Sequence, residues 1–416
     1  MPRRRVVVTG LGPVTPIGTS AEGLWAGLRA GRSAVRTLTR FDPALWRSRN
    51  AGEVTDFDGA DYLDAKRRKR LDRFGQFTVV AAQLALADAG LDVAAEDPER
   101  VGAMMGTALG GVGFAEGELT KFNAGGAREV DPTLALNVFG GAASCNLAIE
   151  YGLHGPNATN GMSCASGAMA LGDGFRAVRD GYADVMLAGG AEAPLMPLCY
   201  GAFAIIRAMS TRNDDPAAAS RPFDRARDGF VMAEGAAVLV LEERGRALAR
   251  GARVYAELAG YGATNDGYHM TAPRPDGRQA ARAMCLALTD AGVAPGEVGY
   301  VNAHGSSTPL NDPTEAGALR QVFGAHLPAL PVSGTKGYYG HALGASGAFE
   351  AAITALALSR GWLPPTVNLA EREAGLEDLD LIAGAGREAA PEVALSNSFG
   401  FGGINAALVF RRHDEG

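Results

Sequence analysis

Residues 158–178 read "ATNGMSCASGAMALGDGFRAV", and residues 345–361 read "ASGAFEAAITALALSRG". The tetrapeptide Ala-Ser-Gly-Ala therefore opens an alanine-rich helical pattern twice, at 165–168 and at 345–348. A second echo accompanies it: a helical pattern ending in "DAG" precedes a "VG" strand at 88–102 and again at 290–299. The element order also restarts in the second part of the chain. These repeats predict an internal duplication, divided into residues 1–250 and 251–416. No low-complexity linker separates the parts, so they are expected to pack as one body.

Working outward, "RRVVVTGLGPVTPIG" reads as a buried β-branched strand ending in a Gly/Pro loop. "FGQFTVVAAQLALADAG" has apolar residues at helical spacing and stops at Gly90. "RQAARAMCLALTDAG" repeats that pattern, and "EVALSNSFGFGGINAALVFRR" reads as two strands around a glycine loop. Short buried strands alternating with helices predict an α/β protein with largely parallel sheets. Of the 416 residues, 47% are hydrophobic and 20% charged, a balance suited to a sizeable core. The net charge of −7 gives no general pull toward nucleic acid or an anionic membrane. Cys145, Cys164, Cys199 and Cys285 form no C-x-x-C pair, which argues against a zinc site and a disulfide framework and for a reducing cytoplasm. The apolar run after the basic N-terminus is too short for a signal peptide, and no window reaches membrane-spanning length.

Four segments carry chemistry-bearing residues. Cys164 sits where a loop becomes a helix; free N–H groups and the helix dipole there predict a lowered thiol pKa and a nucleophilic sulfur. Taken alone, a buried inert cysteine is the commoner reading. His304 follows a strand in "YVNAHGSSTPLNDPTEAGAL", among the hydroxyls of Ser306, Ser307 and Thr308, with Asp312 and Glu315 placed as possible capping acids. Lys336 and His341 lie in "VSGTKGYYGHALGASGAFEAA" and bracket Tyr338 and Tyr339. Gly400, Gly402 and Gly403 surround Phe401, as a ligand-approach loop, an aromatic gate or a bulge between strands. A cysteine with two histidines suits a reaction that stabilises a developing enolate at a thioester oxygen.

With these residues in place, the chain resembles a β-ketoacyl-acyl-carrier-protein synthase of the elongating Cys-His-His type, a family of fatty-acid and type II polyketide synthesis. The likeness runs from "VVVTGLGPVTPIG" through "MSCASG", "NAHGSSTPLND" and "TKGYYGHALGASG" to "SNSFGFGGINAALVF". It implies the thiolase fold: two βαβαβαββ halves in a five-layer α-β-α-β-α sandwich, the nucleophile in the first half and both histidines in the second. It implies that Cys164 accepts an acyl chain from the phosphopantetheine arm of an acyl carrier protein, with the N–H groups of Cys164 and Phe401 as oxyanion hole. His304 and His341 would bind the malonyl thioester carbonyl and support decarboxylation, and the carbanion would extend the chain by two carbons. The same likeness pairs Lys336 with Glu315, puts Ser306 and Thr308 against phosphopantetheine and makes Phe401 the gate.

Basic residues are expected to dock the acidic carrier: Lys69, Arg70 and Arg207, within a run that also holds Lys66, Arg67 and Arg68. No cofactor is expected to bind tightly. The resemblance further implies a monovalent cation near Asn302, Glu350, Ser396 and Asn397. The partner is a second ketosynthase chain, identical or chain-length-factor-like. Family members commonly carry other residues where "GYY" stands here, so Tyr338 and Tyr339 are expected to reshape the pocket and move the product away from housekeeping fatty acids. Two alternatives remain: a non-catalytic chain-length-factor-like subunit, against which the intact Cys164 speaks, and an acyl hydrolase using Ser163.

Overall fold

The computed structural model describes residues 3–413 of the 416; the outermost residues of both expected halves lie outside them. The sheet strands are β1 (Val6–Thr15), β2 (Val101–Gly106), β3 (Asn157–Asn160), β4 (Val185–Glu192), β5 (Gly235–Glu243) and β6 (Ala256–Asn265), then β7 (Tyr300–Ala303), β8 (Pro331–Gly334), β9 (Asp380–Leu381), β10 (Val393–Gly400) and β11 (Ile404–Arg411). They hydrogen-bond in the order β9-β8-β7-β10-β11-β6-β1-β5-β4-β2-β3. Read outward from the β1–β6 seam, each side passes two antiparallel neighbours and then parallel ones. The expectation of largely parallel sheets is corrected here. The six central strands run antiparallel because a first strand and a returning last strand from each side meet at the seam.

Strand β1 also runs on where the sequence reads as a loop. It continues through Gly10-Leu11-Gly12-Pro13 with a bulge between Val8 and Gly10. Its ladder to β6 ends at Val8, so Pro13 has no bond to lose on that edge.

Alternating side chains divide the core into three. Leu239 and Leu241 of β5, with Leu408 and Phe410 of β11, face a central cluster built on helices α2 (Ser166–Arg179) and α5 (Ser346–Arg360). Val238 and Val240 face the opposite way, onto α1 (Arg73–Ala89). Leu395 and Val409 face α3 (Arg278–Ala291) and α4 (Asn311–Phe323). The result is the five-layer α-β-α-β-α thiolase fold. Both sheet faces are buried, which is why the strands read as near-continuous apolar runs.

Two sets of glycines set the layer spacing. A Cβ on Gly10 or Gly12 would lie 2.2 or 1.8 Å from the Ala85 or Ala81 carbonyl of α1, and one on Gly260 or Gly262 would lie 2.3 or 2.1 Å from the Ala287 or Ala283 carbonyl of α3. In the middle layer the two Ala-Ser-Gly-Ala segments pack on each other. A Cβ on Gly167 would meet the Gly344 carbonyl at 2.8 Å, and one on Gly347 the Ala168 nitrogen at 2.6 Å. Only glycine permits so close an approach of two backbones. Among the described residues no helix is long and apolar enough to cross a membrane.

Candidate active site

Cys164 lies in a 3-10 turn, Ser163–Ala165, that runs into α2 and is entered through Ser163 in the left-handed region at φ 51°. Cys164 is 7% exposed and borders a cavity of about 280 Å³ that His304, His341, Phe203 and Phe401 also line. Burial pushes the Cys164 thiol up, while the Ser163 hydroxyl, the Lys336 charge and the Phe401 N–H pull it down. The expected lowering at a helix N-terminus is therefore corrected: desolvation outweighs the local donors. Ser163 Oγ donates to Cys164 Sγ at 3.8 Å, which makes it a partner of the thiol.

The two histidines arrive from neighbouring loops after β7 and β8. Their ring centroids are 5.3 Å apart and their planes nearly perpendicular. Lys336 Nζ donates to His304 Nδ1 at 3.3 Å and to the His304 carbonyl at 2.5 Å. An ammonium can only donate, so His304 Nδ1 accepts and the ring proton sits on Nε2. His341 Nδ1 bonds Ser346 Oγ at 2.8 Å, and a donating hydroxyl leaves its proton on Nε2 as well. Desolvation first, and the Lys336 charge second, hold both rings well below the usual histidine range. Two neutral imidazoles with Nε2–H groups beside one thiol can donate two hydrogen bonds to one substrate oxygen.

The supporting carboxylates differ from the expected arrangement. Lys336, fully buried, pairs with Glu350 of α5 rather than with Glu315. Glu315 instead accepts the backbone N–H groups of His304 and Gly305 at 2.8 and 2.9 Å, together with Asn397 Nδ2 at 3.2 Å. It acts as a clamp on the His304 loop and does not cap its own helix. Burial pushes the Glu350 carboxyl up to about 7, against the pull of Lys336.

Ser306 Oγ and Thr308 Oγ1 bond each other at 2.9 Å and line the cavity, as does Arg207. Phe401 stacks on Phe203 at 6.1 Å; Phe203 meets Phe230 at 6.1 Å, and Phe230 meets His341 at 5.4 Å. Lys69 and Arg70 are exposed on a short helix, Ala65–Arg70, and do not line this cavity. Tyr338 and Tyr339 do not line it either, which corrects their expected role in the pocket. Both are fully buried in the central core, where Tyr339 bonds Thr335 Oγ1 at 2.9 Å and packs edge-on against Phe349.

Asn302 and Ser396 are register partners across β7 and β10. Glu350 Oε2 and Asn397 Oδ1 are buried oxygens with no donor. These two oxygens fit a hard monovalent cation in donor chemistry, whereas the other Glu350 oxygen is taken by Lys336 and Asn302 Oδ1 accepts from Thr335 Oγ1.

Sequence reasoning missed Ser346, Glu350 as the partner of Lys336, and the rings of Phe203 and Phe230. A helix pattern does carry a signal for the first two: Ser346 and Glu350 are four apart, so both stand on one face of α5.

Comparison with known proteins gives a consistent picture. The family model for the β-ketoacyl synthase N-terminal domain matches residues 3–247, and that for the C-terminal domain matches residues 255–370. The chain is 47% identical to a 3-oxoacyl-[acyl-carrier-protein] synthase 2 of Synechocystis sp., covering 99% of both chains. It is 43% identical to the enzyme of that name from Coxiella burnetii, again over 99% of both. Among solved structures it resembles the ishigamide ketosynthase/chain length factor, with a TM-score of 0.93 and 36% identity over 99% of this chain and 100% of that one. It also resembles a type II polyketide synthase ketosynthase solved with its acyl-carrier protein and bound to the hexaketide, with a TM-score of 0.92, 36% identity and the same coverage.

Proposed function

The chain belongs to the β-ketoacyl synthase family, and on that footing we propose that it condenses malonyl-acyl carrier protein with an acyl chain held on Cys164, in fatty-acid or polyketide synthesis. The observation that carries this reading is the pair of buried histidines, with ring centroids 5.3 Å apart, on the cavity that holds the thiol.

The acyl chain enters past Phe401 and Phe203 and is transferred from the carrier thioester to Cys164 Sγ, releasing the phosphopantetheine thiol. The thioester oxygen takes hydrogen bonds from the N–H groups of Cys164 and Phe401. Malonyl thioester then binds with its carbonyl oxygen toward the Nε2–H groups of His304 and His341. Loss of carbon dioxide leaves electron density on that oxygen, which the two neutral donors stabilise. The carbanion attacks the acyl carbon, the C–S bond to Cys164 breaks, and the thiolate is released. Lys336 fixes the tautomer of His304 and lowers the tendency of both rings to take a proton. Where a monovalent cation is bound, Asn302, Glu350, Ser396 and Asn397 would hold it, and it would supply a fixed charge to the buried carboxylates.

Ser306 and Thr308 on the cavity wall are suited to the amides of the phosphopantetheine arm. Arg207 at its mouth, with exposed Lys69 and Arg70, offers cations to an acidic carrier. The division at residue 250 is part of this proposal, supported by the strand order that repeats on each side of the seam. The partner is a second ketosynthase chain, identical or chain-length-factor-like. The outer edge of β3, unpaired among the described residues, supports this, as do the exposed Phe122 and Ile149 on helices Val112–Gly125 and Ala142–Tyr151.

Cys164→Ala is expected to lower chain extension on the order of 10³-fold or more, read by mass spectrometry of carrier-bound products. Acyl hydrolysis that survives the substitution as the protein's main activity would restore the Ser163 reading instead. Charge reversal at Lys69, Arg70 and Arg207 is expected to raise KM for the carrier several-fold with little change in kcat. An unchanged KM would move docking elsewhere.

A further inference from the structure

The turn that carries Cys164 has a twin. Leu343–Ala345 is also a 3-10 turn, entered through Leu343 at φ 44° and followed by a helix that opens at Ser346. The Cys164 turn is entered through Ser163 at φ 51° and leads into a helix that opens at Ser166. Position for position, Gly344 stands where Cys164 stands.

The two N–H groups meet different neighbours. The Cys164 nitrogen lies against the end of β10, where a Cβ added to Gly400 would sit 3.1 Å away. The Gly344 N–H donates to Glu192 Oε2 at 2.9 Å. Glu192 is the last residue of β4 and Gly400 the last of β10, two strands of eight residues in matching sheet positions.

Glu192 is fully buried, and three further donors converge on it. The Ala108 N–H reaches Oε2 at 2.6 Å, and the Leu109 N–H and Thr107 hydroxyl reach Oε1, both at 3.1 Å. The duplicate of the oxyanion turn is thus already filled by a carboxyl group of the chain itself, which burial pushes up to about 7 against the pull of these donors. Gly344 lies three residues after His341 and two before Ser346, whose hydroxyl orients His341.

Resting on the condensing-enzyme reading above, we propose that Glu192 is a positioning residue: its carboxylate fills the duplicate oxyanion turn and so fixes the loop that aims His341. The same carboxylate reaches the nucleophile turn indirectly. Thr107, whose hydroxyl it accepts, takes a hydrogen bond from Ser166 Oγ at its carbonyl at 2.9 Å. Its role is distinct from that of Glu350, which acts on His304 through Lys336.

Removing the carboxylate leaves a cavity ringed by N–H donors, which a small anion can enter. The test uses full-length Glu192→Ala and Glu192→Gln with malonyl-loaded acyl carrier protein, sodium formate, and sodium chloride at equal ionic strength. Decarboxylation by Glu192→Ala is expected to fall about 10- to 100-fold, while Cys164 alkylation by iodoacetamide is no slower than in the parent, because the Glu192 charge raises the thiol pKa. Formate, and not chloride, is expected to restore at least half of the loss on a logarithmic scale and to raise the melting temperature of Glu192→Ala only. Unchanged decarboxylation, a loss that formate does not repair in a folded protein, or a parallel loss of alkylation would each overturn the proposal. Should Glu192→Ala not fold, Glu192→Gln carries the test, since it keeps one acceptor oxygen of two; its kcat falls with KM unchanged, and an unchanged kcat overturns the proposal. A parent protein inert toward malonyl-carrier protein overturns the functional reading, and the anion pocket then stands or falls on the formate-dependent melting shift.

Discussion

His304 and His341 face one cavity and are buried to the same degree, yet they are held in opposite ways. His304 is fixed by a cation that can only donate, itself neutralised by Glu350; His341 is fixed by a hydroxyl that could donate or accept. An ammonium settles the tautomer outright and also acts at a distance, because its charge disfavours protonation of both rings. A hydroxyl settles only orientation. The pair teaches that two donors to one oxygen need not be built alike, provided both stay neutral.

The comparison breaks most simply by removing either ring. His304→Ala and His341→Ala are each expected to lower malonyl decarboxylation about 10²- to 10³-fold, the usual cost of losing one preorganised donor. Alkylation of Cys164 should survive in both. Normal condensation by either variant would end the idea of a shared oxygen.

Lys336→Met is expected to come next. It strips a buried carboxylate of its partner, and urea unfolding should show a loss of about 3–5 kcal/mol. The sign of its pH effect follows from the histidines. Their lowered pKa values keep both rings neutral below the ordinary value near 6.5, so the acid limb of the parent profile lies below that point. Removing the cation raises both pKa values, and the acid limb should move upward. A limb that does not move would leave burial as the sole cause.

Ser346→Ala gives the smallest effect. One neutral hydrogen bond is worth about 1 kcal/mol, which corresponds to a loss of decarboxylation of roughly fivefold. The acid limb should stay in place. A shift as large as that of Lys336→Met would mean that the hydroxyl, too, controls titration.

Much of this arrangement is legible in the sequence, and what is not has physical reasons. The Ala-Ser-Gly-Ala echo marks the place where two helix N-termini cross, and the close contacts of Gly167 and Gly347 explain why the motif recurs. The companion echo, Gly10-Leu11-Gly12 and Gly260-Tyr261-Gly262, passes unnoticed because paired glycines usually signal a turn, whereas here they let a helix touch a strand. Cys164, His304 and His341 stand out because loop residues of those types have few structural uses. Glu350 does not, because within "GAFEAAITALAL" it reads as one polar residue on a core helix, while Glu315 sits near His304 in sequence and draws the pairing to itself. The thiol shift has the wrong sign from sequence because dipole and donors are local whereas desolvation depends on the whole fold. Tyr338 and Tyr339 follow the same logic: adjacency to Lys336 and His341 says nothing about which way a turn faces.

The seam at β1 has a consequence for how the chain is made. The ladder partners of β1 are Ala236–Glu243 and Ala256–Leu258, more than two hundred residues downstream. A ribosome adding about 5–20 residues per second needs roughly 10–50 s to deliver them. Until then this ten-residue strand has helix α1 against one face and, as a strand partner, the two-residue hairpin arm Gly18–Thr19. The first strand to be synthesised is therefore paired only when the last strand of its own half has been made, and the newborn chain carries an open apolar edge past its midpoint.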